Sequence, residues 1–243
     1  MKKCLFCENT KKLSKEHIIP KWLLGELGLT EKTIIMQHSS VFGAPLSQRT
    51  HSFKGLVNAM ICENCNNGWM SKLEASVKDL IIKWMDLDLI EEDTPLLSED
   101  HEILAKWVFK TAIVLNYPTN YRNIVPEKHF HELYSSKIPA GVYINLALTD
   151  NPETIHWRQS QTICMIGDVS KYVSRLKEVY KISLQFNHLL LRVCYVPFEN
   201  FVQGYAGETS IALWPEFGAY KEFKVYKDID EFDTGNYFLK IKP

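Results

Sequence analysis

Two Cys-x-x-Cys pairs, Cys4–Cys7 and Cys62–Cys65, constrain this chain more than any other feature. One tight turn can aim both thiolates of such a pair at a single ion, and four thiolates are the set a structural Zn²⁺ takes in tetrahedral geometry. One pair alone says little, whereas two in one chain read as a shared metal site. The alternative is a set of unrelated thiols, buried or redox-active. Between Cys7 and Cys62 lie 54 residues, far more than the roughly 15–20 of a simple zinc ribbon. A folded segment must therefore sit between the knuckles, and the fold must bring its two ends back together.

Several classes drop out on composition. At 243 residues and 46% hydrophobic content, the chain suits one large or two small globular domains. No apolar run reaches the roughly 18 residues of a membrane span. The start, "MKKCLFCENTKK", has no apolar signal-peptide core, so a cytoplasmic home is expected. Reducing conditions there favour metal ligation over disulfides. Cys164 and Cys194 stand in the apolar stretches "TICMI" and "LRVCYV" and read as inert core thiols.

Residues 72–89 carry Leu73, Val77, Leu80, Ile81 and Trp84 on one face of a 3.6-residue period, which predicts an amphipathic helix. Ser71 and Glu74 are spaced as a capping box at its start. "EEDTP" at 91–95 breaks the pattern and marks a linker. A second helix is predicted over 99–116, with Ser98 as its cap, an apolar stripe through Ile103, Leu104, Trp107, Val108, Ala112 and Leu115, and Tyr117-Pro118 ending it. From about 139 the texture turns to strands, in "GVYINLAL", "QTICMIG", "KISLQF", "HLLLRVCYV" and "TSIALW". Residues 169–179 predict a helix between strands. The whole reads as α+β: residues 1–93 with the metal site and the helix that follows, then an α+β domain over 96–243 with a largely antiparallel sheet. Residues 1–80 hold eleven Lys and Arg against seven acids, a charge of +4, which leaves −5 for the remainder. A basic first third suits a polyanionic partner, although a solvated face gives the same count.

Between the knuckles stands "KEHIIP", residues 15–20. Adjacent strand residues point to opposite faces, so Glu16 and His17 converge on one substrate only at a strand end or bend. Cys-x-x-Cys, then Glu-His-Ile-Ile-Pro, then Cys-x-x-Cys-Asn resembles the HNH (His-Me finger, ββα-metal) endonucleases, in the zinc-knuckled form similar to recombination endonuclease VII. "CLFCENTKKLSKEHIIPKWL", "CENCNNGWMSKLE" and "LAKWVFKTAIVLN" are similar to a group of bacterial and phage HNH proteins. The core of the resemblance spans residues 4–74, and a weaker part extends through 103–116.

The resemblance implies an N-terminal ββα-metal motif clamped by a structural zinc on Cys4, Cys7, Cys62 and Cys65. His17 matches the general base, Glu16 the acidic metal ligand before it, and Asn66 the ligand at the head of the helix. Hard oxygen ligands suit Mg²⁺ or Mn²⁺ as the catalytic ion. Asn58, four residues before Cys62, matches the middle Asn that orients the base, or is a plain strand-end asparagine. Asn67 is a helix cap or a second ligand, Gly68 loosens the turn, and Trp69 packs the helix onto the hairpin. The insert 30–57, with His38, Arg49 and His51, exceeds the compact motif; it supplies phosphate contacts or extra ligands, or its histidines are plain exposed loop residues. His129 and His131 lack the accompanying ligands of a metal site.

A metal-dependent DNA endonuclease is thus the expectation, with RNA left open as substrate, no membrane partner, and a homodimer among the assemblies left open. A non-catalytic zinc-knuckle module that binds nucleic acid or protein is the alternative. Residues 96–243 read either as a targeting or regulatory domain or as the completion of a shared core.

Overall fold

The structure, a computed structural model, describes residues 2–10, 12–29, 31–40, 44–90, 98–116, 123–152, 156–161, 165–166, 170–198, 201–205, 210–215, 225–234 and 237–241. The expected linker at 91–95 and Cys164 lie outside them. In chain order the first elements are β1 (Leu13–His17), α1 (Lys21–Glu26), β2 (Thr33–Ser39), β3 (Pro45–Ser52) and β4 (Val57–Cys62). Next come α2 (Glu63–Cys65), a π-helical turn (Asn66–Met70), α3 (Ser71–Met85), α4 (Ser98–Asn116) and α5 (Glu127–Tyr134). There follow β5 (Val142–Thr149), β6 (His156–Ser160), β7 (Met165–Ile166), β8 (Tyr180–Phe186), β9 (Leu189–Tyr195), β10 (Phe201–Tyr205), β11 (Ile211–Trp214), β12 (Val225–Tyr226), α6 (Ile229–Thr234) and β13 (Tyr237–Ile241).

The chain forms two compact units, and each is discontinuous. One comprises Met1–Ile34, His51–Ile82 and Leu96–Pro139; the other comprises Ile35–Thr50, Lys83–Pro95 and Ala140–Pro243. This division differs from a single cut at 93–96. Residues 96–139 fall with the cysteine pairs, and residues 35–50 fall with the β-rich part.

In the first unit, β1 and β4 pair antiparallel as a two-stranded sheet, and the helical run from Glu63 follows directly from β4. Glu74 does not cap α3. Ser71 has helical φ and ψ (−62°, −38°) because the chain enters α3 from the π-helical turn, whereas an N-cap residue is extended. Glu74 instead takes Lys110 Nζ of α4 at 2.6 Å, with the lysine side chain only 1% exposed. Trp107, Val108, Phe109, Ala112, Ile113 and Leu115 are all fully buried, so α4 is sheathed around most of its circumference. α5 then packs Phe130 edge-on against Phe6, ring centroids 5.4 Å apart.

The second unit carries the eight-stranded sheet, with β11, β5, β9, β8, β6, β2 and β3 in spatial order and β12 beside β5. It is largely antiparallel; β2 pairs with β6, and β12 with β5, in parallel. The insert between the knuckles is therefore not loop. Its β2 pairs Ile35 with His156 and His38 with Gln159, which buries His38 inside the sheet. β3 lies at the sheet's edge, with Arg49 exposed and His51 half-buried. Residues 170–178, within the stretch 169–179 expected to form a helix, form a 3₁₀ helix.

Alternation along β8 sends Ile182, Leu184 and Phe186 to one face and Lys181, Ser183 and Gln185 to the other, all buried. On the polar face α6 seats Phe232 and Ile229 against Leu190 and Ala147. Asp233 of α6 pairs with Lys181 at 3.2 Å and accepts the Ser183 hydroxyl. Burial alone would raise the Asp233 carboxyl, but Lys181, Ser183 and Arg192 outweigh it and hold it below the usual carboxylate range. Cys194 is a fully buried core thiol on β9.

Two predictions follow from this packing. Lys110→Ala leaves the part-buried Glu74 carboxylate without its partner and is expected to lower stability by about 1–3 kcal/mol, measured by urea denaturation; a loss under about 0.5 kcal/mol would contradict the pair's role. A chain ending at Asp93 lacks α4 and α5, hence Lys110 and Phe130, and is expected to be insoluble or unfolded by circular dichroism, whereas a soluble, cooperatively folding 1–93 fragment would contradict the unit boundaries.

Candidate metal centre and hairpin site

The first knuckle is a tight turn. Cys4 N–H donates to Asn9 O and Glu8 N–H to Cys4 O, with Glu8 in the left-handed region. Leu5 N–H donates to Met60 O, which ties the turn to β4. The second knuckle forms where β4 ends. Cys62 is extended and Cys65 closes α2, so strand and helix meet inside the pair. Cys62 N–H points at Cys4 Sγ, 3.4 Å away.

The four sulfurs lie within 4.8 Å of one another, three of the cysteines buried and Cys7 half-buried. Cys4 and Cys65 sulfurs are 3.8 Å apart, and those of Cys7 and Cys62 are 3.5 Å apart. A tetrahedron with Zn–S bonds near 2.3 Å has edges of about 3.8 Å, so these four residues fit a zinc-sized ion. Among the described residues this is the one group of three or more metal-ligating side chains so close together. The contact between the Cys4 and Cys65 sulfurs lowers the Cys4 thiol and, together with burial, raises that of Cys65. Burial pushes the Cys7 thiol up as well. Metal uptake must displace those protons, which makes affinity fall as pH falls.

The aromatic and polar neighbours hold the knuckle in place. Phe6 sits edge-on to Trp69 at 5.0 Å as well as to Phe130. His131 Nδ1 lies 3.1 Å from Phe6 O, and because a carbonyl only accepts, Nδ1 carries the proton. His129 is fully buried, and that burial lowers its imidazole to about 3. His129 and His131, which lack the accompanying ligands of a metal site, thus buttress the first unit. A cleft of about 580 Å³ opens beside the first knuckle, lined by Lys2, Lys3, Leu5, Glu8, Glu127 and His131 among others; His17, Asn58 and Asn66 are not among its lining residues.

The remaining candidate residues stand on the hairpin and helix start. Ser14 faces Ile61 but Glu16 faces Asn58, so β4 carries one residue more than β1 across this step, a bulge. Asn58 is buried, and its Oδ1 accepts the Met60 amide inside the bulge at 2.8 Å. It is therefore more than a strand-end residue: it satisfies a backbone donor that the irregular pairing would otherwise strand. Glu16 and His17 end β1 immediately after this step in the pairing. Glu16's side chain lies outside the described part of the structure. His17 is half-buried, its Nδ1 is buried without a hydrogen-bond partner among the described residues, and burial, then Lys21, holds its imidazole below the ordinary histidine value.

Asn66 opens the π-helical turn one residue after Cys65, and its Nδ2 lies 3.4 Å from Ser14 Oγ. Asn67 falls inside the same turn rather than at a helix cap, and the chain kinks at Gly68 (φ −92°, ψ −109°). The sequence carries no signal for Ser14, since a serine on a five-residue strand matches no spacing rule. No family model, no curated protein and no solved structure matches this chain.

The purified protein is expected to hold one tightly bound zinc per chain by elemental analysis. The Cys62→Ser, Cys65→Ser double variant is expected to lose that zinc along with its solubility. A zinc-free wild type with an unchanged melting temperature would contradict the metal's structural role.

Proposed function

We propose that residues 4–74 form an HNH, ββα-metal endonuclease unit that hydrolyses phosphodiester bonds in DNA. The observation that carries this reading is the sulfur staple. It joins the end of β4 and the following helical turn to the N-terminal knuckle, with the candidate base, His17, and a candidate ligand, Asn66, on the hairpin and turn that it joins. In this reading the four cysteines hold a closed, structural zinc with no open coordination position. The basic first third of the chain, +4 over residues 1–80, adds support for a polyanionic substrate.

His17 is the general base. With Nδ1 buried, Nε2 is the nitrogen left to take a proton from water. Burial and the nearby Lys21 charge keep the ring neutral at pH 7, as a base must be. Glu16 and Asn66 offer hard oxygen donors for Mg²⁺ or Mn²⁺, and Asn66 fits such a role because its Oδ1 makes no hydrogen bond among the described residues. When bound, such an ion supplies charge stabilisation at a non-bridging phosphate oxygen and at the leaving 3′ oxygen. As the water oxygen bonds to phosphorus, its proton passes to His17 Nε2. The bond from phosphorus to the 3′ oxygen breaks, and that oxygen takes a proton from solvent. The products are a 5′-phosphate and a 3′-hydroxyl. Asn58 shapes the bulge and so aims the end of β1.

Plasmid cleavage in Mg²⁺ or Mn²⁺ tests the reading. His17→Ala is expected to slow cleavage by about 10²-fold or more while zinc content stays unchanged. Because burial and Lys21 hold the His17 ring below the ordinary histidine value, the acid-side fall of the wild-type rate, as the ring protonates, is expected at lower pH than an unperturbed imidazole would give. Equal cleavage by the variant removes His17 from the mechanism. Binding without nicking under any divalent ion, on DNA or RNA, would point to a non-catalytic zinc-knuckle module.

A further inference from the structure

We infer that Ser14 is a positioning residue that sets the orientation of the Asn66 carboxamide, so that its oxygen, and not its NH₂, faces the catalytic ion; the use of that ion rests on the endonuclease reading above. A serine hydroxyl has one hydrogen to give and lone pairs with which to accept. Ser14 Oγ donates that hydrogen to Ile61 O, 3.0 Å away, and a carbonyl can do nothing but accept. Toward Asn66 the hydroxyl can therefore only accept, so the Asn66 amide must turn Nδ2 toward it, at 3.4 Å. In a planar carboxamide this directs Oδ1 along the other arm, where it makes no hydrogen bond among the described residues.

Without such a partner the two amide orientations, related by a 180° turn of the terminal torsion, differ little in shape, and one of them presents an NH₂ to a cation. The site therefore sets two variables by two devices. Cys65 fixes where the Asn66 backbone stands, one residue from the sulfur cluster. Ser14 fixes which end of the side chain points away from β1. Ser14 is itself held by strand register, opposite Ile61 and just before the bulge that leads to Glu16 and His17. β1 thus carries, within four residues, the positioning hydroxyl, the acidic ligand and the base.

Ser14→Thr and Ser14→Val separate the hydroxyl from shape, since both side chains are branched and of similar size. The readout is Mn²⁺ binding to the full-length, zinc-loaded protein, followed by the paramagnetic resonance signal of free Mn²⁺, together with the Asn66 side-chain amide resonances. Ser14→Val is expected to weaken Mn²⁺ binding about 10- to 100-fold, the usual cost of losing a residue that orients a ligand, and to shift the Asn66 amide signals. Ser14→Thr is expected to bind Mn²⁺ within about threefold of wild type, a margin well inside the loss expected of the valine variant. Zinc content is expected to be unchanged in both. Equal Mn²⁺ affinity in the threonine and valine variants overturns the role of Ser14 while leaving the endonuclease reading intact. A wild type that takes up no Mn²⁺ with its zinc site filled overturns both.

Discussion

Four sulfurs at tetrahedral spacing bear the weight of the first unit. A pair of five- and six-residue strands is marginal by itself in water. Here it is closed by cysteines that stand 54 residues apart in the chain, between Cys7 and Cys62, and meet within 4.8 Å. Metal binding at such a site is folding free energy, on the order of 10–16 kcal/mol for small zinc modules at neutral pH. The same closure places the candidate ligand Asn66. Cys62 ends β4, Cys65 ends α2, and the next residue is Asn66. A shift of one residue in either pair would move Asn66 away from Ser14 and change what the hairpin faces.

Around that staple the first unit adds a few directional contacts to an apolar core that α4 runs through. Phe6, inside the first Cys-x-x-Cys turn, meets Trp69 after the second pair and Phe130 on α5. The ion pair of buried Lys110 with part-buried Glu74 ties α4 to α3. Replacing such a pair by apolar residues often costs nothing, so its value lies in specifying one arrangement. The second unit does the same with Lys181 and Asp233 beneath α6.

Much of this was legible because the signals are local. The cysteine pairs, the helical periods read over 72–89 and 99–116, and the strand-like stretches at 141–148, 181–186 and 188–196 are local signals, and helices at Ser71–Met85 and Ser98–Asn116 and strands β5, β8 and β9 stand there. What escaped depends on distant partners. β2 reads as part of an insert between the knuckles because its pairing partner, β6, begins 121 positions later, Ile35 against His156. The Ser71 and Glu74 spacing matches a capping box, yet the π-helical turn before it makes Ser71 helical and frees Glu74 for Lys110. Residues 96–139 look like the start of a second domain because an acidic stretch precedes them, but Lys110, Phe130 and His131 belong with the knuckle's unit. Of the candidate site, the cysteines, His17 and Asn66 were visible as motif. Ser14 and the bulge were not, because a hydroxyl's hydrogen-bond direction has no signature in a sequence.

Anomalous diffraction from one crystal soaked in Mn²⁺, recorded at the zinc and manganese edges, tests the central claim most directly. The account predicts a zinc peak inside the Cys4, Cys7, Cys62 and Cys65 sulfurs and a separate manganese peak bound by Glu16 and Asn66 Oδ1 beside His17. A manganese peak elsewhere with none at Glu16 and Asn66, or a cysteine cluster without zinc, would contradict it.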